Sequence, residues 1–141
     1  MTDAWKIGHT GTDTLTGRTV LIMATDPLDI AAGGHQHFRY LGADYQVPGA
    51  TTYYITGYQV ATAGAGRGYL EIRYADDAAL TTNVVVLVAG IGTAVLPAGA
   101  SVIYPCGRLP VPTGHYLGIW NPTGLTINTV AQVTVMGYEQ A

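Results

Sequence analysis

The first thing this sequence has little of is charge. Only 11% of its 141 residues are Asp, Glu, Lys or Arg, less than half of the ~25% usual for soluble domains. Six basic residues face nine acidic ones, and Lys6 is the only lysine. The basic footprint of a nucleic-acid binder is therefore missing. Cysteine is nearly absent as well: Cys106 stands alone, which excludes an intrachain disulfide framework. It sits in Tyr104-Pro105-Cys106-Gly107 with no activating neighbour, so a structural role is expected. Long apolar runs are also missing. The longest, Val84 to Ala89, falls far short of the ~20 residues that a membrane helix needs. Met1-Thr2-Asp3-Ala4-Trp5-Lys6 has neither the basic start nor the apolar centre of a signal peptide. The expectation is a protein made in a reducing cytoplasm, with no membrane and no nucleic acid among its partners. Disorder is excluded from the other side, because 48% of the residues are hydrophobic.

What is present is strand-forming sequence. A chain of this length buries roughly 68–70% of its unfolded surface, enough for one domain with a core of its own. Residues 1–19 differ from the rest, with six threonines, three glycines and apolar residues spread singly. They read as an extended N-terminal arm or leader, anchored by Trp5, Ile7 and Leu15, ahead of a single domain at 20–141; a leader packed along its own domain is the equal alternative. Val20-Leu21-Ile22-Met23-Ala24 suits a short buried strand. Asp26-Pro27, with Gly33 closing the segment, carries the cap, first-turn and end signals of one or two helical turns.

After that, strand follows strand. In His35 to Tyr40, alternation sets Phe38 and Tyr40 on one face and His35, His37 and Arg39 on the other. Thr51 to Thr62 is β-prone on both faces, which suggests burial on both sides. Tyr69 to Ala75 alternates, with Leu70, Ile72 and Tyr74 inward and Glu71 and Arg73 outward. Val84 to Val88 reads as a continuous core run. Val102-Ile103-Tyr104, His115 to Trp120 and Leu125 to Val135 complete the set. Aliphatic-proline-glycine corners recur at Val47-Pro48-Gly49, Leu96-Pro97-Ala98-Gly99 and Val111-Pro112-Thr113-Gly114. Short strands with such punctuation predict an all-β, antiparallel jelly-roll sandwich.

No catalytic constellation emerges. His35-Gln36-His37 puts two imidazoles on one strand face, as cupin metal sites do, but Tyr40, Leu41 and Gly42 stand where the glutamate would be. His115 follows Gly114 directly, so the second half of that motif fails too. A polar strand face is expected there, with a metal shared between subunits as the alternative for His35 and His37. Ser101, the only serine, has no nucleophile elbow around it. Asp76-Asp77 are adjacent, so on a strand they would point apart, and they read as a turn. Gly64-Ala65-Gly66-Arg67-Gly68 lacks the ending of a phosphate loop and reads as a hairpin tip. The chain is expected to be no enzyme, with no catalytic residue, no cofactor and no metal.

Tyrosine carries more information: ten of them stand against one Phe and two Trp. It supplies large amphipathic contact area and is enriched in interfaces. Tyr53, Tyr54, Tyr58, Tyr69 and Tyr74 fall in two strands expected to be neighbours, and they are read as a subunit interface. Stacking on sugars is the competing use, and it would also draw on Trp120.

The Thr/Gly-rich leader, the tyrosine-rich strand after Val47-Pro48-Gly49, Val111-Pro112-Thr113-Gly114-His115-Tyr116-Leu117-Gly118-Ile119-Trp120-Asn121 and the closing Val133-Thr134-Val135-Met136-Gly137-Tyr138 resemble the capsid decoration (cement) proteins of tailed bacteriophages. The resemblance implies a jelly-roll homotrimer on the capsid surface of a virion, bridging neighbouring major capsid proteins. It further implies capsid contact through the arm, by Trp5, Lys6, Ile7 and Leu15. Related jelly rolls serve as carbohydrate- or receptor-binding modules of head or tail fibres, which is the alternative function.

Overall fold

The computed structural model describes residues 10–13, 17–27, 29–61, 69–92, 101–127 and 132–141. Among these all regular structure is β, and no helix occurs. The strands are β1 (Thr10–Asp13), β2 (Arg18–Ala24), β3 (His35–His37), β4 (Arg39–Tyr40), β5 (Ala43–Asp44), β6 (Thr52–Ala61), β7 (Tyr69–Ala75), β8 (Val85–Gly92), β9 (Ser101–Val111), β10 (Tyr116–Trp120) and β11 (Gln132–Gln140).

One sheet runs β5-β4-β2-β11-β6-β9, with β1 also on β2, and the other runs β3-β10-β7-β8. All pairings between these strands are antiparallel. The pairs β2·β11, β3·β10, β6·β9 and β7·β8 nest inside one another along the chain. A long antiparallel ribbon folded over into two sheets has this order, and the two sheets make a β-sandwich. The inward residues of the larger sheet are Leu21, Met23, Tyr53, Ile55, Val60, Val133 and Val135. They share one core with Leu70, Ile72, Leu117 and Ile119 of the smaller sheet. Burying each such side chain contributes about 1.5–3 kcal/mol, which is why period-2 alternation decides which face turns inward.

At one proline-glycine corner Gly114, after Val111-Pro112-Thr113, sits at φ +79°, whereas after Val47-Pro48-Gly49 the positive φ falls on Ala50 at +56°. The Leu96-Pro97-Ala98-Gly99 corner and the Gly64–Gly68 tip lie outside the described residues. At Gly137 a register shift on β11 brings the backbones so close that an added Cβ would run into the Tyr54 carbonyl.

Several expectations are corrected. Asp26 to Gly33 forms no helix, because the Ile30 backbone pairs with Ile127 in both directions (3.2 and 2.9 Å). His35 to Tyr40 is not one strand. It breaks at Phe38, where the chain passes from the smaller sheet to the larger and the buried ring fills the corner. Val84 to Val88 is not a core run either. β8 is an edge strand, and Val85 and Val86 are 40% and 43% exposed. Leu125 is 60% exposed in a bend, while β11 begins at Gln132 and runs on to Gln140. Within the leader, Thr10–Asp13 pairs along Arg18–Leu21, so that part belongs to the sandwich; Trp5, Lys6, Ile7 and Leu15 lie outside the described residues.

Candidate functional site

Two outward sheet faces carry the polar and aromatic chemistry. On the smaller sheet, the register sets His35 beside Trp120 and Glu71, and His37 beside Gly118 and Arg73. Alternation along β3, β10 and β7 turns these residues away from the core, since Ile119 and Ile72 between them are fully buried. The arrangement is largely self-satisfied. His37 Nδ1 lies 2.9 Å from Asp44 Oδ2, and its Nε2 meets the Ala78 carbonyl. Both ring nitrogens therefore already have protein oxygen partners. His35 contacts His37 edge-on at 5.1 Å. Burial, and then the neighbouring His37, push the His35 imidazole below its ordinary pKa, against a smaller opposing pull from Asp44 and Asp77. Among the described residues no three His, Cys, Asp or Glu side chains gather as metal ligands.

Trp120 is held on both sides. The Arg73 guanidinium lies 4.2 Å from its ring centre, and His35 stacks at 6.0 Å from the strand on the other flank. Arg73 in turn binds Glu71 Oε1 through Nε at 2.9 Å and through Nη2, and donates to the Leu80 carbonyl at 2.9 Å. This last bond folds the β7–β8 loop back over the sheet. Leu80, fully buried at φ +58°, seats on Gly118, where no Cβ would fit. Asp77 caps the same loop, accepting from the Thr81 hydroxyl at 2.7 Å and from the Thr81 and Thr82 amides at 2.9 and 2.7 Å. Asp76 turns elsewhere, to His115 at 2.8 Å and Asn83 at 2.6 Å. The adjacent carboxylates are thus two loop anchors with separate partners.

The outer face of the larger sheet is different in kind. Tyr138 on β11 and Tyr54 on β6 are register partners whose rings lie 5.3 Å apart. Arg18 on β2 covers Tyr138 at 4.4 Å, and Arg108 on β9 covers Tyr54 at 4.1 Å. A ladder of arginine, tyrosine, tyrosine and arginine therefore crosses four strands. Cation–π contacts contribute about 0.5–1 kcal/mol at exposed sites and about 2 kcal/mol where desolvated, and Tyr138 is only 9% exposed. Around them stand Val20, 41% exposed, and the half-buried Ile22 and Met136. No acidic residue occupies the outward positions of β2, β11 and β6. Arg18 stands opposite Asp13 of β1 in the strand register, and its Nε is buried without a hydrogen-bond partner. A guanidinium stacked on a ring still offers its edge donors, so the face suits contact with an apolar surface that also carries acceptors.

The five tyrosines do not come together. β6 and β7 are consecutive in sequence but lie in different sheets. Tyr53 is fully buried, donating to the Leu21 carbonyl at 2.9 Å, so it has no surface to give a second copy. Tyr58 and Tyr74 pack half-buried against the core. Tyr69, 58% exposed, and Tyr54 remain at the surface, on opposite sheets. Sequence reasoning missed Arg18, Arg108 and Tyr138. Arg108 was hidden because Pro105 and Pro110 mask the strand that carries it; both fit because β9 is an edge.

No helix among the described residues is long and apolar enough to cross a membrane. No protein-family model matches this chain. No curated protein matches it either. Among solved structures it matches the capsular polysaccharide assembling protein CapF from Staphylococcus aureus, and the same protein with the inhibitor 3-isopropenyl-tropolone. Each match is 13% identical with a TM-score of 0.20, covering 94% of this chain and 30% of the CapF chain. Likeness at that level carries no inference about function.

Proposed function

We propose that this chain is a non-enzymatic structural protein of a phage virion: a homotrimer on the outside of the capsid that cements neighbouring major capsid proteins. The observation that supports the reading is the outer face of the larger sheet. There Val20, Ile22, Met136 and the Arg18–Tyr138–Tyr54–Arg108 ladder lie together, with no acidic residue at the outward positions of β2, β11 and β6 and Asp13 of β1 opposite Arg18 at the margin. In a chain with 11% charge, such a face is better suited to a protein surface than to water. In this reading the face holds the trimer together through Val20, Tyr54 and Arg108, and the arm residues Trp5, Lys6, Ile7 and Leu15 reach the capsid. Three modest capsid contacts on one trimer then multiply through effective concentration. Sedimentation of the full chain tests the assembly. A trimer at micromolar concentration is expected, and Arg108→Glu should shift it to monomer with its β-sheet spectrum unchanged. A wild-type monomer would remove the trimer from the proposal. Deleting residues 2–9, which leaves β1 and Arg18 in place, should weaken capsid binding; full binding without them would remove the arm.

A further inference from the structure

We propose that the cleft beside β5 is a binding site for a neutral saccharide ring. The cleft has a volume of about 320 Å³, and the buried Leu21 is part of its lining. Tyr40, Asp44, Tyr45, Gln46, Pro48 and Glu139 line it. That volume lies at the lower end of the range for small-molecule sites.

The chemistry of the lining selects the ligand class. No basic side chain lines the cleft, so a phosphate or carboxylate ligand would find no counter-charge. A sugar ring has an apolar C–H face and a rim of hydroxyls that both donate and accept. Tyrosine and proline rings suit the first, and carboxylate and amide oxygens suit the second. The polar groups are also pre-positioned, which lowers the ordering cost of binding. Tyr45 donates its hydroxyl to Glu139 Oε2 at 2.6 Å, leaving Oε1 for a ligand. Burial, with the Glu139 hydrogen bond and charge adding to it, pushes the Tyr45 phenol far above its ordinary pKa, so it stays a donor. Asp44 is steadied by His37 at 2.9 Å and Arg39 at 3.6 Å. Gln46 donates to the Gly114 carbonyl at 2.9 Å, which leaves its side-chain oxygen as an acceptor. Asp44 and Gln46 are therefore held by contacts outside the cleft and Glu139 by Tyr45 within it, around two tyrosine rings. The site needs neither the arm nor the trimer.

The test uses the isotope-labelled full chain, titrated with the methyl glycosides of glucose, galactose, mannose and N-acetylglucosamine, and separately with methylguanidinium chloride. At least one glycoside should move the amide signals of Tyr40, Tyr45 and Gln46, with a Kd in the millimolar range. Glu139→Gln should weaken that binding about tenfold while Arg108→Ala leaves it unchanged. Gln46→Ala, at an exposed side chain, gives a second reading of the loss should Glu139→Gln fail to fold. The proposal is overturned if none of the four glycosides moves those signals at about 50 mM. It is also overturned if both cleft variants fold and bind as the parent does, or if only methylguanidinium binds there.

Discussion

Replacing Asn121 by alanine should cost this fold more stability than its size suggests. Asn121 is fully buried just after β10. Its side-chain amide donates to the carbonyls of Ile30, Ala31 and Leu125 at 3.1, 3.1 and 2.7 Å. Its oxygen accepts from the Thr123 amide and hydroxyl at 3.0 and 2.6 Å. The side chain therefore ties the β2–β3 connection to the loop after β10. In the alanine variant, Ile30, Ala31 and Leu125 each keep one other donor, from Ile127, Gly34 and the Thr123 hydroxyl. Each of those lost bonds is then worth about 0.5 kcal/mol, the low end of the net range. The Thr123 amide is left without a partner, at about 1–3 kcal/mol. The total comes to about 3 kcal/mol, or roughly a 10 °C fall in Tm for a domain of this size. Urea denaturation is the assay, with the midpoint falling at unchanged slope. Asn121→Asp should be at least as damaging, because it sets a carboxylate against three carbonyl oxygens. A loss below about 1 kcal/mol for alanine, or a neutral aspartate, would refute the idea that this network anchors the loops.

Gly137→Ala should lose about 3 kcal/mol or more, since its methyl group meets the Tyr54 backbone and not a movable side chain; wild-type stability on denaturation would contradict the close approach. The Asp77 carboxyl is held at about 2, first by the Thr81 hydroxyl and then by the Thr82 amide. A lowered folded pKa stabilises fully above the ordinary value of about 3.9 and is lost as pH falls towards 2. Asp77→Asn should therefore flatten the acid limb of a stability–pH curve between about pH 4 and 2, and an unchanged slope there would count against the cap. Burial raises the Cys106 thiol above its ordinary pKa, so iodoacetamide should label it more slowly at neutral pH than it labels an unstructured cysteine peptide. Equal or faster labelling would mean an activated thiol.

How much of this was legible depends on where each residue's partners lie. β7 was readable because Leu70 and Ile72 alternate with Glu71 and Arg73, and one buried face is all that such a strand needs. β8 misled because Val84 to Val88 is apolar on both faces, and composition does not say whether a strand is central or at an edge. Asp26-Pro27 carries real helix-start chemistry, but Ile127, far along the chain, claims the backbone of Ile30. Tyr53 and Tyr54 show the same limit at one step: they are neighbours of identical type, yet one is core and the other is surface. The arginine–tyrosine ladder was out of reach because its members come from four strands that only the roll of the sheet brings together. The cleft is assembled in the same way, from β2, the β4–β5 hairpin with the segment after it, and the last turn of β11.

The most direct test of the central claim is a density-gradient experiment with capsids that lack this protein, mixed with the purified full chain. Expected is co-migration with the capsid at a saturating ratio of three chains per site, reduced by Arg108→Glu and by removal of residues 2–9. A chain that stays at the top of the gradient at every concentration, while capsids sediment bare, would contradict the account.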